Sequence, residues 1–217
     1  MDDWRLPIVE LVAIKSAIYR IDQGRLWTYA LPRVKATEDE LRACESRLGR
    51  PLDPQYRSFL GFANGWPAFI QPDDLLGTQE LGVDRHWQLG MDVLATYRDD
   101  ELRQRGLPPG SLLMPIAVSL YHSAGFFMER NVTPGRVVWL TTELVDVFDS
   151  FDSFFLSMIE YNRRELKLLE TDENLRREVA RLPRPWLPGV SRQVVDREVL
   201  RVVAGIQDPT RPIRWAW

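Results

Sequence analysis

Along residues 112–140 the hydrophobic period of the chain changes from that of a helix to that of a strand. Residues 112–118, 125–129 and 137–140 are short apolar runs rich in β-formers, separated by polar or Pro-Gly segments that include Asn131-Val132-Thr133-Pro134-Gly135. Strands so close in sequence are most easily antiparallel. Residues 75–81 are expected to add another strand, and residues 91–104 a helix.

Helical patterns flank this middle part. Ile8, Leu11, Val12, Ile14 and Ile18 predict an amphipathic helix over 5–21, with Pro7 tolerated in its first turn and Gly24 ending it. Thr37-Glu38-Asp39-Glu40 is a capping box. Behind it Leu41, Cys44 and Leu48 line one face, and Gly49 supplies a left-handed stop. Asp53-Pro54 opens the next helix, which buries Tyr56, Phe59, Leu60 and Ala63 before Asn64-Gly65 ends it. Arg50-Pro51-Leu52 joins the two as a helical hairpin. Phe151, Phe154, Phe155, Met158 and Ile159 stripe a long helix beginning after Asp149 or Ser150. Thr171-Asp172 caps a helix to Leu182, the proline-rich break 183–188 follows, and residues 191–206 form a last helix. Ile213, Trp215 and Trp217 alternate with polar or small residues, so the tail is expected to dock rather than remain in water. Helices, a meander, then helices again is an α+β pattern: a mainly antiparallel sheet packed by helices, with an N-terminal helical hairpin and a C-terminal helical extension. The expected division is residues 1–170 as the α+β domain and residues 171–217 as a helical extension packed on it.

At 217 residues the chain can bury a core without a metal or disulfide staple. No run of about 18 apolar residues exists, which excludes a transmembrane helix. The acidic opening is unlike a secretory signal, and the single cysteine excludes an internal disulfide framework, so a cytoplasmic location is expected. A net charge of -3 argues against direct binding of nucleic acid.

Charge is unevenly distributed. Residues 58–84 contain no Lys or Arg but carry Asp73, Asp74, Glu80 and Asp84. Residues 137–162 likewise set Glu143, Asp146, Asp149, Asp152 and Glu160 against no cation, so the two stretches sum to -9. From residue 163 onward the balance is +4. Such asymmetry marks a binding surface, or else a solvated face with acids complementing helix starts. Asp73, Asp74, Glu80 and Asp84 are the candidate contact residues, in a loop-rich segment, with Trp66 and Trp87 as candidate aromatic anchors beside them.

No catalytic constellation assembles. His86 and His122 share no metal-ligand spacing with each other or with Cys44, and no nucleophile elbow, Walker loop or dinucleotide fingerprint occurs. Cys44 lies on an apolar helix stripe, which predicts a packed thiol. Asp73-Asp74 and Asp99-Asp100-Glu101 lack the glycine-spaced loop of a cation site. No enzyme activity, cofactor or metal is expected.

The blocks Ala36-Thr37-Glu38-Asp39-Glu40-Leu41 through Glu45, Leu48-Gly49, residues 52–60 and Asn64-Gly65-Trp66 closely resemble the opening of the SUKH superfamily. Residues 113–117, 135–139 and 151–156 resemble its later segments, in order, over about residues 25–165. Two departures stand out. Residues 119–125 replace the Asp/Gly-rich turn of many members, and the last ~50 residues lie outside the core pattern. The superfamily includes fungal cell-wall assembly regulators and bacterial immunity proteins. The resemblance implies an α+β fold and a non-enzymatic binding role: an immunity protein that neutralises a cognate polymorphic toxin by stoichiometric occlusion, the toxin often a nuclease or deaminase. The alternative is a regulatory scaffold in cell-envelope or stress signalling. Within this resemblance Glu45, Asn64, Gly65 and Trp139 look structural.

Overall fold

A computed structural model of the protein describes residues 3–119, 124–141 and 144–182. His122, the helix expected over 191–206 and the tail at 211–217 lie outside them.

Helix α1 (Arg5–Asp22) runs one residue beyond its expected end, and Gln23 takes the left-handed cap at φ 53° just before Gly24. Helices α2 (Glu38–Leu48) and α3 (Pro54–Leu60) form the expected hairpin. In α2 the Thr37 hydroxyl accepts from the Glu40 amide at 3.2 Å while Glu40 accepts from the Thr37 amide at 2.7 Å. In α3 Asp53 accepts from the amides of Gln55 and Tyr56. Cys44 is fully buried on α2, as its stripe required, and burial pushes its thiol pKa up.

Six strands follow: β1 (Trp66–Ile70), β2 (Asp73–Leu75), β3 (Leu113–Val118), β4 (Gly125–Glu129), β5 (Val137–Leu140) and β6 (Leu144–Phe148). They pair antiparallel in strict chain order. The central runs are apolar without alternation because β3, β4 and β5 are covered on both faces. Phe126 joins the large core with Trp4, Phe59, Phe154 and Phe155, whereas its neighbour Phe127 joins a second core with Leu94, Leu102, Val138 and Leu140. Two buried faces remove the polar half of the usual antiparallel pattern.

The expected strand over 75–81 is corrected. Leu75 ends β2, and residues 76–84 fold into turns held by amide bonds from Glu80 and Leu81 to Gly77. β1 escaped notice because Pro67 interrupts it, and Ala68 and Gln71 lie at φ 48° and 51°. The helix expected over 91–104 is two helices, α4 (Arg85–Ala95) and α5 (Asp99–Gln104). Asp84 caps α4 by accepting from the Trp87 amide at 3.0 Å, and Asp99, Asp100 and Glu101 fill the first turn of α5. Gly90 lets α4 lie on β3, since a Cβ there would meet the Pro115 ring at 2.4 Å.

Helix α6 (Phe151–Thr171) starts at the Ser150 cap, and α7 (Glu173–Arg181) at the Asp172 cap. α6 packs along α1, and α7 packs against both. Trp4, buried at the start of α1, meets Phe59 and Phe155 edge-on with centroids 5.3 and 5.2 Å away. Such pairs add about 0.5–1.5 kcal/mol each beyond burial.

Candidate protein-interaction site

The acidic residues singled out in the sequence do not form one exposed face. Asp73 is only 4% exposed, and burial, with Asp74 next to it, holds its carboxyl well above the usual range. Glu80 is buried, accepts from the Gly77 amide at 2.8 Å and pairs with Arg33. Asp74 accepts from the Ala68 amide at 2.6 Å, which fixes the β1–β2 bend. The second oxygen of Asp74 lies 3.2 Å from His86 Nε2, and Asp84 Oδ2 lies 3.1 Å from His86 Nδ1. The ring is thus held between two carboxylates. Trp66 is a core residue, with its indole N–H on the Ala30 carbonyl at 2.9 Å. Trp87 is half-buried against the same core. Asp73, Glu80 and Trp66 are buried, whereas Asp74 and Asp84 keep part of their surface in water while bonding backbone amides, a distinction that a charge count along the sequence does not make.

Two loops are joined here. Asn64 Nδ2 donates to Thr78 Oγ1 at 2.8 Å, and the Thr78 amide donates to Asn64 Oδ1 at 2.7 Å. Gly65, at φ 83°, lies so close to the second loop that a Cβ would meet Gly77 N at 2.7 Å. The Tyr56 hydroxyl donates to the Leu76 carbonyl, and Arg47 Nε to the Leu81 carbonyl at 2.8 Å. From the other side, the Arg33 amide donates to Gly65 O at 3.0 Å, the Asn64 amide to Val34 O at 3.2 Å, and the Ala36 amide to Leu60 O at 2.9 Å. Residues 25–36 and 76–84 are therefore fixed side by side, tied across by Arg33 and Glu80.

Three large apolar side chains point outward from these two loops: Leu31 at 59% exposed, Val34 at 86% and Val83 at 62%. Their exposure contrasts with the firmly bonded backbone that carries them. The sequence carried a weak signal for it, since Leu31, Pro32 and Val34 are apolar yet belong to no periodic stripe. Glu45 is structural as the resemblance implied, accepting from the Leu52 amide and Arg57 Nε at 3.1 Å each. Trp139 stacks on Phe126 at 5.0 Å.

A separate cleft lies where α1 and α6 meet β1. Lys15 Nζ donates to the carbonyls of Ala68 at 2.6 Å and Phe69 at 3.2 Å. Burial lowers its pKa to about 8. Glu165 accepts from the Trp27 indole at 2.7 Å and is raised to about 7, again chiefly by burial. Asp22, also raised by burial, accepts from the amides of Gly24, Leu26 and Trp27. The cavity among them is about 20 Å³, room for about one water. Its titratable groups are engaged by backbone and indole, an arrangement that positions structure rather than a substrate. Among the described residues, no group of three His, Cys, Asp or Glu side chains could hold a metal. No helix there is long and apolar enough to cross a membrane.

Comparison with curated proteins yields no match. The SMI1 / KNR4 family (SUKH-1) matches residues 35–157, from the capping box of α2 into the second turn of α6. That stretch is more than half of the chain and includes the whole sheet, the Asn64–Thr78 junction and the loop that carries Val83. By this match, the chain belongs to the SMI1 / KNR4 family (SUKH-1).

Proposed function

We propose that this protein is a cytoplasmic immunity protein, which binds a cognate toxin with a nuclease or deaminase domain and neutralises it by stoichiometric occlusion. The carrying observation is the fixed loop pair with Leu31, Val34 and Val83 exposed, set against a cleft that has room for about one water. Family membership supports the same reading. A protein-sized partner can use a firmly held surface with exposed apolar side chains, whereas a small substrate needs a concave pocket. Asp84, next to Val83, adds a partly exposed carboxylate at the rim, suited to the cations of a toxin that grips phosphate. The binding act is steric: the occupied toxin surface is withdrawn from its substrate, and no bond is made or broken.

The experiment is co-expression with nuclease and deaminase toxin domains, taken first from any large secreted protein found encoded next to this chain. Restored growth together with a one-to-one complex on sizing is the expected result. Toxicity unchanged by saturating amounts of folded protein, with no complex, would overturn the reading.

A further inference from the structure

We propose that the outer seam of α1 and α6, lined by Leu6, Val9 and Leu156, is the docking site of the chain's own residues 191–206. A helix lying between core and water carries one apolar stripe, but α1 carries two. Leu11, Ile14 and Ile18 face the core, while Leu6, Val9 and Ala13, at i, i+3 and i+7, face outward. Leu6 is 79% exposed and Val9 62%. On α6 Leu156, Glu160 and Arg163 follow one another at i, i+4 and i+7. Arg163 pairs with both Glu160 and Glu10, so this face runs beside the Leu6–Glu10 face of α1. Leu156, 46% exposed, completes the apolar part of the seam.

The occupant follows from the chain beyond Leu182. Val195, Val199, Val202 and Ile206 are spaced at i, i+4, i+7 and i+11, one stripe of a helix. Sixteen residues as a helix span about 24 Å, close to the roughly 27 Å of α1. α7 packs against α1 and α6, which leaves Leu182 within one helix length of the seam. Residues 183–190 extend up to about 27 Å, enough to reach Leu6 from any point along α1. Charge agrees as well. Glu10, Glu160 and Arg163 sum to -1, while Arg192, Arg197 and Arg201 against Asp196 and Glu198 give +1. This seam is made by helices, not by the loops assigned to the toxin, so its failure leaves that assignment standing.

Hydrogen exchange on the full-length protein tests it. Amides of 191–206 are expected to exchange about tenfold or more slower than an unstructured chain. The double variant Leu6→Glu, Val9→Glu returns them to the unstructured rate, while Val34→Asp does not. Val199→Glu with Val202→Glu is expected to have the same effect from the other side, raising exchange in α1 as well. Unprotected 191–206 in the parent protein, or protection that survives Leu6→Glu, Val9→Glu, overturns the proposal. So does protection that disappears on dilution together with a dimer, which would name a second copy as the occupant.

Discussion

The indole of Trp27 donates to the buried carboxylate of Glu165 at 2.7 Å, across 138 positions of sequence, and so ties the loop after α1 to the middle of α6. Glu165 is raised from 4.5 to about 7, and Lys15, near it, is lowered from 10.5 to about 8. The folded chain keeps the Glu165 proton to higher pH than the unfolded chain does, so stability falls as pH climbs from about 4.5 to about 7. Folded Lys15 gives up its proton before the unfolded chain does, so stability recovers between about 8 and about 10.5. Tm is expected to fall from about pH 4.5 to about 7, with Asp22 and Asp73 adding to that fall. At alkaline pH the gain from Lys15 is opposed by buried Cys44 and Tyr56, which keep their protons longer than in the unfolded chain. Glu165→Gln keeps an acceptor for Trp27 and removes the ionisation, so its Tm should change less between about pH 5 and 7. A variant that tracks the parent over that range would show that Glu165 is not the titrating group.

Gly77→Ala and Gly65→Ala test the loop junction. A Cβ on Gly77 would sit 2.4 Å from the Asn64 carbonyl oxygen, and one on Gly65 would sit 2.7 Å from Gly77 N at a positive φ. Both contacts are with backbone, which cannot swing aside. Each variant is expected to lose about 3 kcal/mol or more by denaturant titration. Asn64→Ala, which strands the Thr78 amide, should lose about 1–3 kcal/mol. Near-parental midpoints for all three would mean that the junction is not a packing constraint.

Cys44→Ser places a hydroxyl in a fully buried site on α2. A cost of about 1–3 kcal/mol is expected, with toxin affinity unchanged in the fraction that folds. Lost affinity at a parental Tm would instead give the thiol a role in binding.

Leu31→Asp, Val34→Asp and Val83→Asp alter side chains that are mostly in water, so each should melt within about 0.5 kcal/mol of the parent. The triple variant is expected to weaken toxin binding by about tenfold or more, read by calorimetry. Asp73→Lys, by contrast, should fail to fold, because it puts an ammonium where the side chain is buried beneath the β1–β2 turn. Parental affinity in a folded triple variant would move the toxin to another face.

Much of the helical framework was legible because its signals are local. Thr37 with Glu40, Asp53 with Pro54 and Asp172 each announce a helix start through a bond spanning two or three residues. The three central strands were legible as apolar runs, though not the reason for their continuity, which needs α4 and α6 on opposite faces. β1 was not legible, since Pro67 and the positive φ of Ala68 contradict strand chemistry and are tolerated only through Asp74 and Lys15. The candidate binding residues were hardest. Asp73 and Glu80 carry the composition of a surface, but Asp73 is buried and Glu80 accepts from the Gly77 amide and pairs with Arg33, and composition cannot distinguish a carboxylate facing water from one facing an amide. Leu31, Val34 and Val83 carry the composition of a core and stand outside it.

The strict chain order of the sheet also has a consequence for synthesis. Every strand after β1 pairs with the one made just before it, with α4 and α5 intervening only between β2 and β3, so the sheet can assemble in order as it leaves the ribosome. α1 has no such neighbour. The face that buries Leu11, Ile14 and Ile18 belongs against α6, more than a hundred residues later. Helix α1 is therefore enclosed late, and until α6 emerges its apolar stripe is open to the holdases that meet nascent chains.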